Sequence, residues 1–507
     1  MGLNRIDLLI IAAYLAGITL FGLRFRKRQR TMRDYFLAGR NIPWWAIALS
    51  IVAAETSTLT IIGIPGLAYD SNLTFLQLAM GYVIGRVIIS LVLLPQYFRG
   101  ELYTAYQLIE RRFGPELRTV TAGLFLLTRA AAEGVRVYAV SIVVSIALGT
   151  GEVASIAIIT LLTLIYTFEG GLAAVIWTDV VQTFIYVGGT LVGLVTILHL
   201  VPGGWASVEA IAGGLHKFQV FDLHFFDLHT FNSPISTHWL HLDFAKPYTL
   251  WAGIIGGAFL TTASHGTDQL IVQRLLAARN QRQSALALLS SGVAVFFQFG
   301  LFLIVGVMLY AYYRVPSAAF GRADRIYPTF IVSRMPHGIA GLLIAAILAA
   351  AMSNLSAALN SLASSSIMDF YLRFRAGRRS NSGSESRPEL SEAARLRLAR
   401  LATVAWALVL FGLAVLALHR VGRVVEAGLQ IASVAYGALL GVFLLGVLTK
   451  RANQRGAMVG MICGFAMELY LWGWSQVAFT WWVAIGTCAT FAVGYAASIL
   501  LKDESRA

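Results

Sequence analysis

Ala53-Ala54-Glu55-Thr56-Ser57-Thr58-Leu59-Thr60 sets one carboxylate and four hydroxyls inside a long apolar run, and Gly63, Pro65 and Gly66 follow within three turns. The run extends over about 42–69, more than the ~20 residues a membrane-spanning helix needs. Glycine and proline each weaken a helix. A bland reading is that small and hydroxyl residues only let helices pack closely. A buried glutamate beside four hydroxyls is costly without a task, which favours a span interrupted to bind something.

The rest of the chain has the same apolar character. It has 507 residues, of which 58% are hydrophobic and 13% charged. A soluble chain would average about 25% charged. Mean hydropathy is +0.72. Disorder, secretion and a soluble multidomain enzyme are excluded, and the lipid bilayer is the solvent. We read thirteen spans, at about 5–23, 42–69, 74–98, 119–148, 153–168, 172–200, 249–273, 283–313, 337–371, 401–418, 424–449, 456–473 and 477–501. The first lacks a small-residue cleavage site and runs into a basic cluster, so it is not a cleaved signal peptide. Cys463 and Cys488 lie in apolar runs and make no disulfide framework or metal spacing.

An odd number of spans puts the termini on opposite sides. One set of loops carries 27 of the 39 basic residues, the other carries 9, and Arg86, Arg129 and Arg136 lie inside spans. Basic loops face the cytoplasm. The N-terminus is therefore expected outside and the C-terminus inside, in the plasma (inner) membrane. The net charge of +14 follows from these short loops and implies no nucleic acid. The outer loop 201–248 holds His216, His224, His229, His238 and His241, whose spacing fits no metal motif, and is expected to pack over the outer mouth. The inner loop 376–394 is Ser/Arg/Glu-rich and expected to be mobile.

Spans two to six (42–200) and seven to eleven (249–449) form two blocks of five. An odd count forces opposite topology, the arithmetic of an inverted repeat. Around them stand an extra helix with its basic loop (1–41), the outer loop (201–248) and two C-terminal spans (450–507). In such folds the first helix of each block is unwound near the midplane, and its freed backbone groups bind ion and solute. Span seven carries Thr261, Thr262, Ser264, His265, Gly266, Thr267 and Asp268 there. Span nine carries Ser353, Ser356 and Asn360 on one face. Span six adds Asp179 near its cytoplasmic end.

At these residues the chain resembles the solute:sodium symporter family, which includes the sodium/glucose cotransporters, proline permease, and the sialic acid, iodide and multivitamin transporters. Tyr166 to Ala174 is similar to the second half of one family signature. Gly446-Val447, Arg451, Gly456-Ala457 and Gly460 resemble the other. Asp268-Gln269 with Val272-Gln273-Arg274 resembles the span-seven motif. The resemblance covers nearly the whole chain. It implies an all-α polytopic protein with the LeuT-type 5+5 inverted repeat, and sodium-coupled symport by alternating access.

The resemblance also implies a sodium site between spans two and nine. Its ligands would be the carbonyls of Ala53, Thr56 and Ala350 and side-chain oxygens of Ser353 and Asn354. The family usually has Ser or Thr at the last position; Asn offers a longer carbonyl arm. A second sodium site or ion exit would use Asp179, Ser353, Ser356 and the position of Ala357, which has no side-chain oxygen. Solute contacts would be Ser57, Thr60, Phe75 and Gln77, with Asp268 at the second break. Sugar-transporting members use polar side chains at positions occupied here by Thr60, Ala79, Tyr82 and Val295. Two of these are apolar, which argues against a sugar rich in hydroxyls. The sialic acid branch matches at Ser57, Thr60 and Phe75 and departs at Ala79, where it carries Gln.

Span four is the unusual element. Arg129, Glu133 and Arg136 share one face, and Arg129 and Glu133 sit roughly 16–22 Å beyond Arg118 at 1.5 Å per residue. Glu133 neutralises one arginine. Either Glu55 pairs the other, with Arg86 competing, or the spare arginine receives a solute carboxylate, for which a guanidinium is well shaped. On the second reading Arg136 is the solute contact and Arg129 the partner of Glu133. The solute is then a small carboxylate or amino-acid-like anion. Among other classes, an enzyme lacks a paired catalytic constellation, and a sensor would need a signalling module, whereas six residues follow position 501. A proton-coupled symporter would use Glu55 and Asp179. The sequence specifies no oligomeric state.

Overall fold

In hydrocarbon, backbone N–H and C=O groups have to be satisfied within the protein, which long helices achieve segment by segment. The computed structural model describes residues 3–23, 37–99, 105–166, 172–223, 244–371 and 392–501. Among them the regular structure is helical apart from one isolated bridge between Ile42 and Ala278. The long helices are α1 (Arg5–Leu23), α2a (Trp44–Glu55) and α2b (Thr58–Asp70), α3 (Leu76–Tyr97), α4 (Pro115–Leu148), α5 (Glu152–Tyr166), α6 (Leu172–Leu200), α7a (Gly257–Gly266) and α7b (Gln269–Leu276), α8 (Gln281–Tyr313), α9 (Ile339–Ser365), α10 (Glu392–Arg420), α11 (Val424–Leu448), α12 (Gln454–Trp474) and α13 (Phe479–Leu500). Nine of the described helices are by themselves long and apolar enough to cross a membrane, and the pair α2a–α2b, bent by 63°, makes a tenth.

The break in span two falls at Thr56–Ser57, within the polar stretch where unwinding is expected, and α2b runs on through Gly63, Pro65 and Gly66. Gly66 instead serves close approach: a Cβ there would stand 2.8 Å from the Ala323 carbonyl oxygen. Span ten begins earlier than hydropathy indicated. Glu392 to Arg400 extends the apolar run into a polar helical turn or two, so Glu392–Ala394 are helical rather than part of a mobile loop. The other residues of that loop, 376–391, lie outside the described residues, as do His224, His229, His238 and His241 and most of the first signature (167–171). The described part of the long loop does pack on the body: Lys217 Nζ donates to Tyr69 O at 2.6 Å, and Leu73 N to Gln219 O at 3.1 Å.

The apolar core falls into two large clusters. One joins α2b, the first half of α3, α7a and most of α8; the other joins α2a, the second half of α3, α7b and the start of α8. Both helix breaks lie at the seam between them.

The extra helix α1 is tied to α9. The Asp7 carboxylate is fully buried and accepts from Gly338 N at 2.6 Å, Gly341 N at 3.3 Å and His337 Nδ1 at 2.8 Å, so it caps the helix N-terminus. Asp7→Ala strands these donors and is expected to cost about 1–3 kcal/mol, lowering the melting temperature in detergent. Asp7→Asn retains acceptor oxygen and loses less. Equal melting of wild type and Asp7→Ala would remove the cap from the account.

Candidate functional site

In an unbroken helix Ser57 N would bond Ala53 O, and Thr60 N would bond Thr56 O. Here Ser57 N donates to Glu55 O at 2.9 Å and Thr60 N to Ser57 O at 2.9 Å. The carbonyls of Ala53 and Thr56 thereby lose their helical donors, and these are two of the carbonyls expected to hold sodium. Thr60 Oγ1 also donates to Glu55 O at 2.9 Å, so this side chain stabilises the break. Thr56 Oγ1 donates to Gln298 Oε1 on α8 at 2.8 Å.

The second break has a parallel construction. Thr267 N donates to Ala263 O at 2.9 Å, and Asp268 Oδ1 accepts from Leu270 N at 2.8 Å to cap α7b. Asp268 Oδ2 accepts from Tyr436 Oη at 3.3 Å and stands 4.0 Å from Arg129. Both Asp268 oxygens are thus engaged by protein, and the residue caps and positions the break.

Charges occupy the seam in pairs. Glu55, the last residue of α2a, pairs with Arg86 on α3. His265 Nε2, on α7a, lies 3.1 Å from Arg86 Nη2 and 3.5 Å from Glu55 Oε2. Gly292 on α8 makes room for the arginine, since a Cβ there would meet its Cδ at 2.9 Å. Asp179 Oδ2 accepts from Ser50 Oγ at 2.6 Å and pairs with Arg274 Nη2 at 3.1 Å, while Arg274 Nε donates to Ser50 Oγ at 2.9 Å. The expected exit carboxylate is therefore locked between α2a, α6 and α7b. No described contact brings it to Ser356, which is buried, and Ala357 is exposed.

On α4, Glu133 Oε1 takes Arg129 Nη2 at 2.8 Å and Arg136 Nη1 at 2.6 Å. Glu55 does not reach them. The count of two arginines against one glutamate is corrected by Asp268, which stands beside Arg129. The arginines still differ: the side chain of Arg129 is 9% exposed and that of Arg136 32%. Arg136 faces a cavity of about 20 Å³ lined also by Ser57, Thr58, Glu133, Ala351, Asn354 and Leu355. Such a space holds a water-sized guest but not an organic solute. Ala350 and Ser353 lie one helical position round from its α9 wall.

Phe75 packs in an aromatic group with Tyr248 and Phe299, with centroids at 5.3 and 5.7 Å, and Tyr82 meets Phe299 at 6.3 Å. Gln77 is fully buried; its Nε2 donates to Tyr248 O at 2.8 Å and its Oε1 accepts from Asp222 N at 3.2 Å. In this arrangement it fastens the long loop to α3. Sequence reasoning missed Gln298, Ser50 and the pairing role of His265. A lone amide in Phe296-Phe297-Gln298-Phe299 was the available signal for the first.

A model of the family described as "Sodium:solute symporter family" matches residues 35–464. The chain belongs to this family. The symporter is 30% identical to the sodium/sialic acid symporter SiaT of Proteus mirabilis over 96% of this chain and 94% of the relative. It is 28% identical to the sodium/glucose cotransporter of Vibrio parahaemolyticus, over 93% and 86% of the two chains. A substrate-bound, outward-open structure of a sodium-coupled sialic acid symporter matches with TM-score 0.79 at 27% identity, covering 98% of each chain. Mhp1, a nucleobase-cation-symport-1 transporter in a closed conformation, matches with TM-score 0.52 at 12% identity over 92% and 93%, a likeness of fold alone. The symporter is thus an integral membrane protein of LeuT-like fold and a sodium-coupled secondary transporter, not an enzyme.

Removing Arg129 leaves Asp268 without its cation and Glu133 with half its compensation. Arg129→Gln is expected to cost about 3–5 kcal/mol. Arg136→Gln leaves Glu133 paired and should shift stability by no more than about 1 kcal/mol. Detergent melting curves that coincide for the two variants would contradict this division.

Proposed function

We propose that the symporter carries a small organic anion together with sodium, with the two bound on opposite sides of the Thr56–Ser57 break. The observation that carries this reading is the chemistry of the two helix ends. The end of α2a offers the carbonyls of Ala53 and Thr56, whose helical donors have moved elsewhere. Ala350, Ser353 and Asn354 on α9 complete an all-oxygen set suited to a dehydrated sodium ion. The start of α2b, from Thr58 on, offers N–H groups and the positive end of a helix dipole. Arg136 lines the same cavity. A carboxylate is matched to that pair, and Ser57 is the proposed solute contact beside Arg136, with Phe75 in the aromatic roof. Anion-handling relatives support the class: the first matches are sodium/sialic acid symporters, and sodium-coupled monocarboxylate transporters follow at 25% and 26% identity.

The architecture goes with this reading. Thirteen spans, two inverted blocks of five at 42–200 and 249–449, an outer N-terminus and a cytoplasmic C-terminus give each break a partner of opposite orientation. Proton coupling is disfavoured by the pairing of both its candidates, Glu55 with Arg86 and Asp179 with Arg274. Asp179 and Ser356 serve the inner end of the path: the carboxylate releases Arg274 when the helices part.

Two measurements test the reading. Uptake of a labelled sialic acid or short monocarboxylate into proteoliposomes should follow a sodium gradient and ignore a pH gradient of equal driving force; the reverse result overturns sodium coupling through this site. Ser353→Ala removes one ion ligand and should cost about 1–3 kcal/mol, or roughly 5- to 150-fold in apparent sodium affinity. Unchanged sodium activation would count against α9 as the sodium wall.

A further inference from the structure

We propose that Glu468 on α12 is a positioning residue for the break in span seven, and that it acts through Tyr436 on α11. Glu468 is fully buried. Its Oε1 accepts from Gly437 N at 2.9 Å and its Oε2 from Ala438 N at 3.3 Å, both on α11. Among the described residues these backbone groups are its partners, and no cation stands beside it. A carboxylate inside a membrane-spanning body is costly without a task. Packing alone would be served by an apolar side chain.

The socket is shaped for this group. A Cβ on Gly437 of α11, or on Gly486 of α13, would collide with Oε1. The carboxylate therefore sits where three helices meet and where two of them present no side chain. Its donors lie inside α11, and an undisturbed helix would keep such N–H groups for its own carbonyls. The contact fixes one turn of α11 against α12 and α13, in height and in rotation.

Tyr436 precedes that turn. Its Oη donates to Asp268 Oδ2 at 3.3 Å, and Asp268 Oδ1 caps α7b through Leu270 N at 2.8 Å. The hydroxyl stands much farther from the helix axis than the Cα radius of about 2.3 Å. A small rotation of α11 thus becomes a larger displacement at Oη. At 3.3 Å the bond is already beyond the usual hydroxyl range of about 2.5–3.0 Å and has little slack. Without it Arg129, at 4.0 Å, is left to draw the Asp268 carboxylate away from the cap. Glu468 in this way reaches the break from α12, through α11, to the start of α7b.

The test is hydrogen–deuterium exchange, read by mass spectrometry on the full chain in nanodiscs, which needs no solute. Glu468→Gln keeps one acceptor oxygen and the shape of the side chain, and Glu468→Ala keeps neither. In Glu468→Ala the peptide carrying Leu270 should exchange roughly tenfold faster than in wild type, the size of one lost hydrogen bond. Glu468→Gln should fall between the two. Tyr436→Phe should give the same increase, and adding Glu468→Ala to it should change exchange at Leu270 by less than about twofold, since both act on one bond. The peptide with Gly338 and Gly341, capped by Asp7, reports general loosening and should exchange as in wild type. Equal acceleration there overturns the assignment. Faster exchange confined to α11, α12 and α13 also overturns it and leaves Glu468 as a staple between helices. Effects at Leu270 that multiply in the double variant overturn it as well, because Glu468 then acts by a route other than Tyr436. Should Glu468→Ala not fold, Gly437→Ala carries the same comparison: it displaces the carboxylate without removing it, and should speed exchange at Leu270 only while Tyr436 is present.

Discussion

The Glu55–Arg86 pair lies where the structure is most exposed to failure. A helix broken inside an apolar body leaves carbonyls and N–H groups without partners, and each such group is costly in a medium that cannot solvate it. The break at Thr56–Ser57 sits beside this pair, and His265 from the other broken helix touches both of its members. One buried contact thus joins α2a, α3 and α7a next to both interruptions. The seam between the two apolar clusters is where the charged groups collect: Glu55 with Arg86 and Asp179 with Arg274 are compensated across helices, while Glu133 answers Arg129 and Arg136 within α4 and Asp268 adds a cross-helix partner to Arg129. A buried pair of this kind adds little net stability, but the loss of one partner is expensive, so the pairs fix how the helices stand relative to one another.

From that constraint the rest follows in layers. Above the break, Phe75, Tyr248 and Phe299 form an aromatic roof, and Gln77 ties it to the long loop. Below it, Ser50, Asp179 and Arg274 close the space between α2a, α6 and α7b. The cavity left between them is too small for an organic solute.

In the proposed function the two ends of the broken helix divide the labour of binding. Carbonyls freed at the end of α2a suit a cation, and N–H groups at the start of α2b suit an anion. Their separation by a single turn of chain brings opposite charges close enough to sense one another. Arg136 projects from α4 into this space, so the charge on a third helix is part of the same local field.

The sequence alone determined that the chain is helical and membrane-embedded, because apolar runs of about twenty residues have no other stable home. It also located the unusual elements: the polar stretch from Glu55 to Thr60, the hydroxyl face of α9, and the charged face of α4. Composition and spacing carry such information because they are properties of one segment at a time. Partner choice is not. The sequence left Glu55 to either Arg86 or the α4 arginines and gave Asp268 and Gln77 solute roles. Only the packed structure assigns Glu55 to Arg86 and uses Asp268 as a cap and Gln77 as a tie. These outcomes depend on distances between helices far apart in the chain. Which of several competing charges meet, and which backbone groups are left free, is settled by where the helices stand when their apolar faces have closed together.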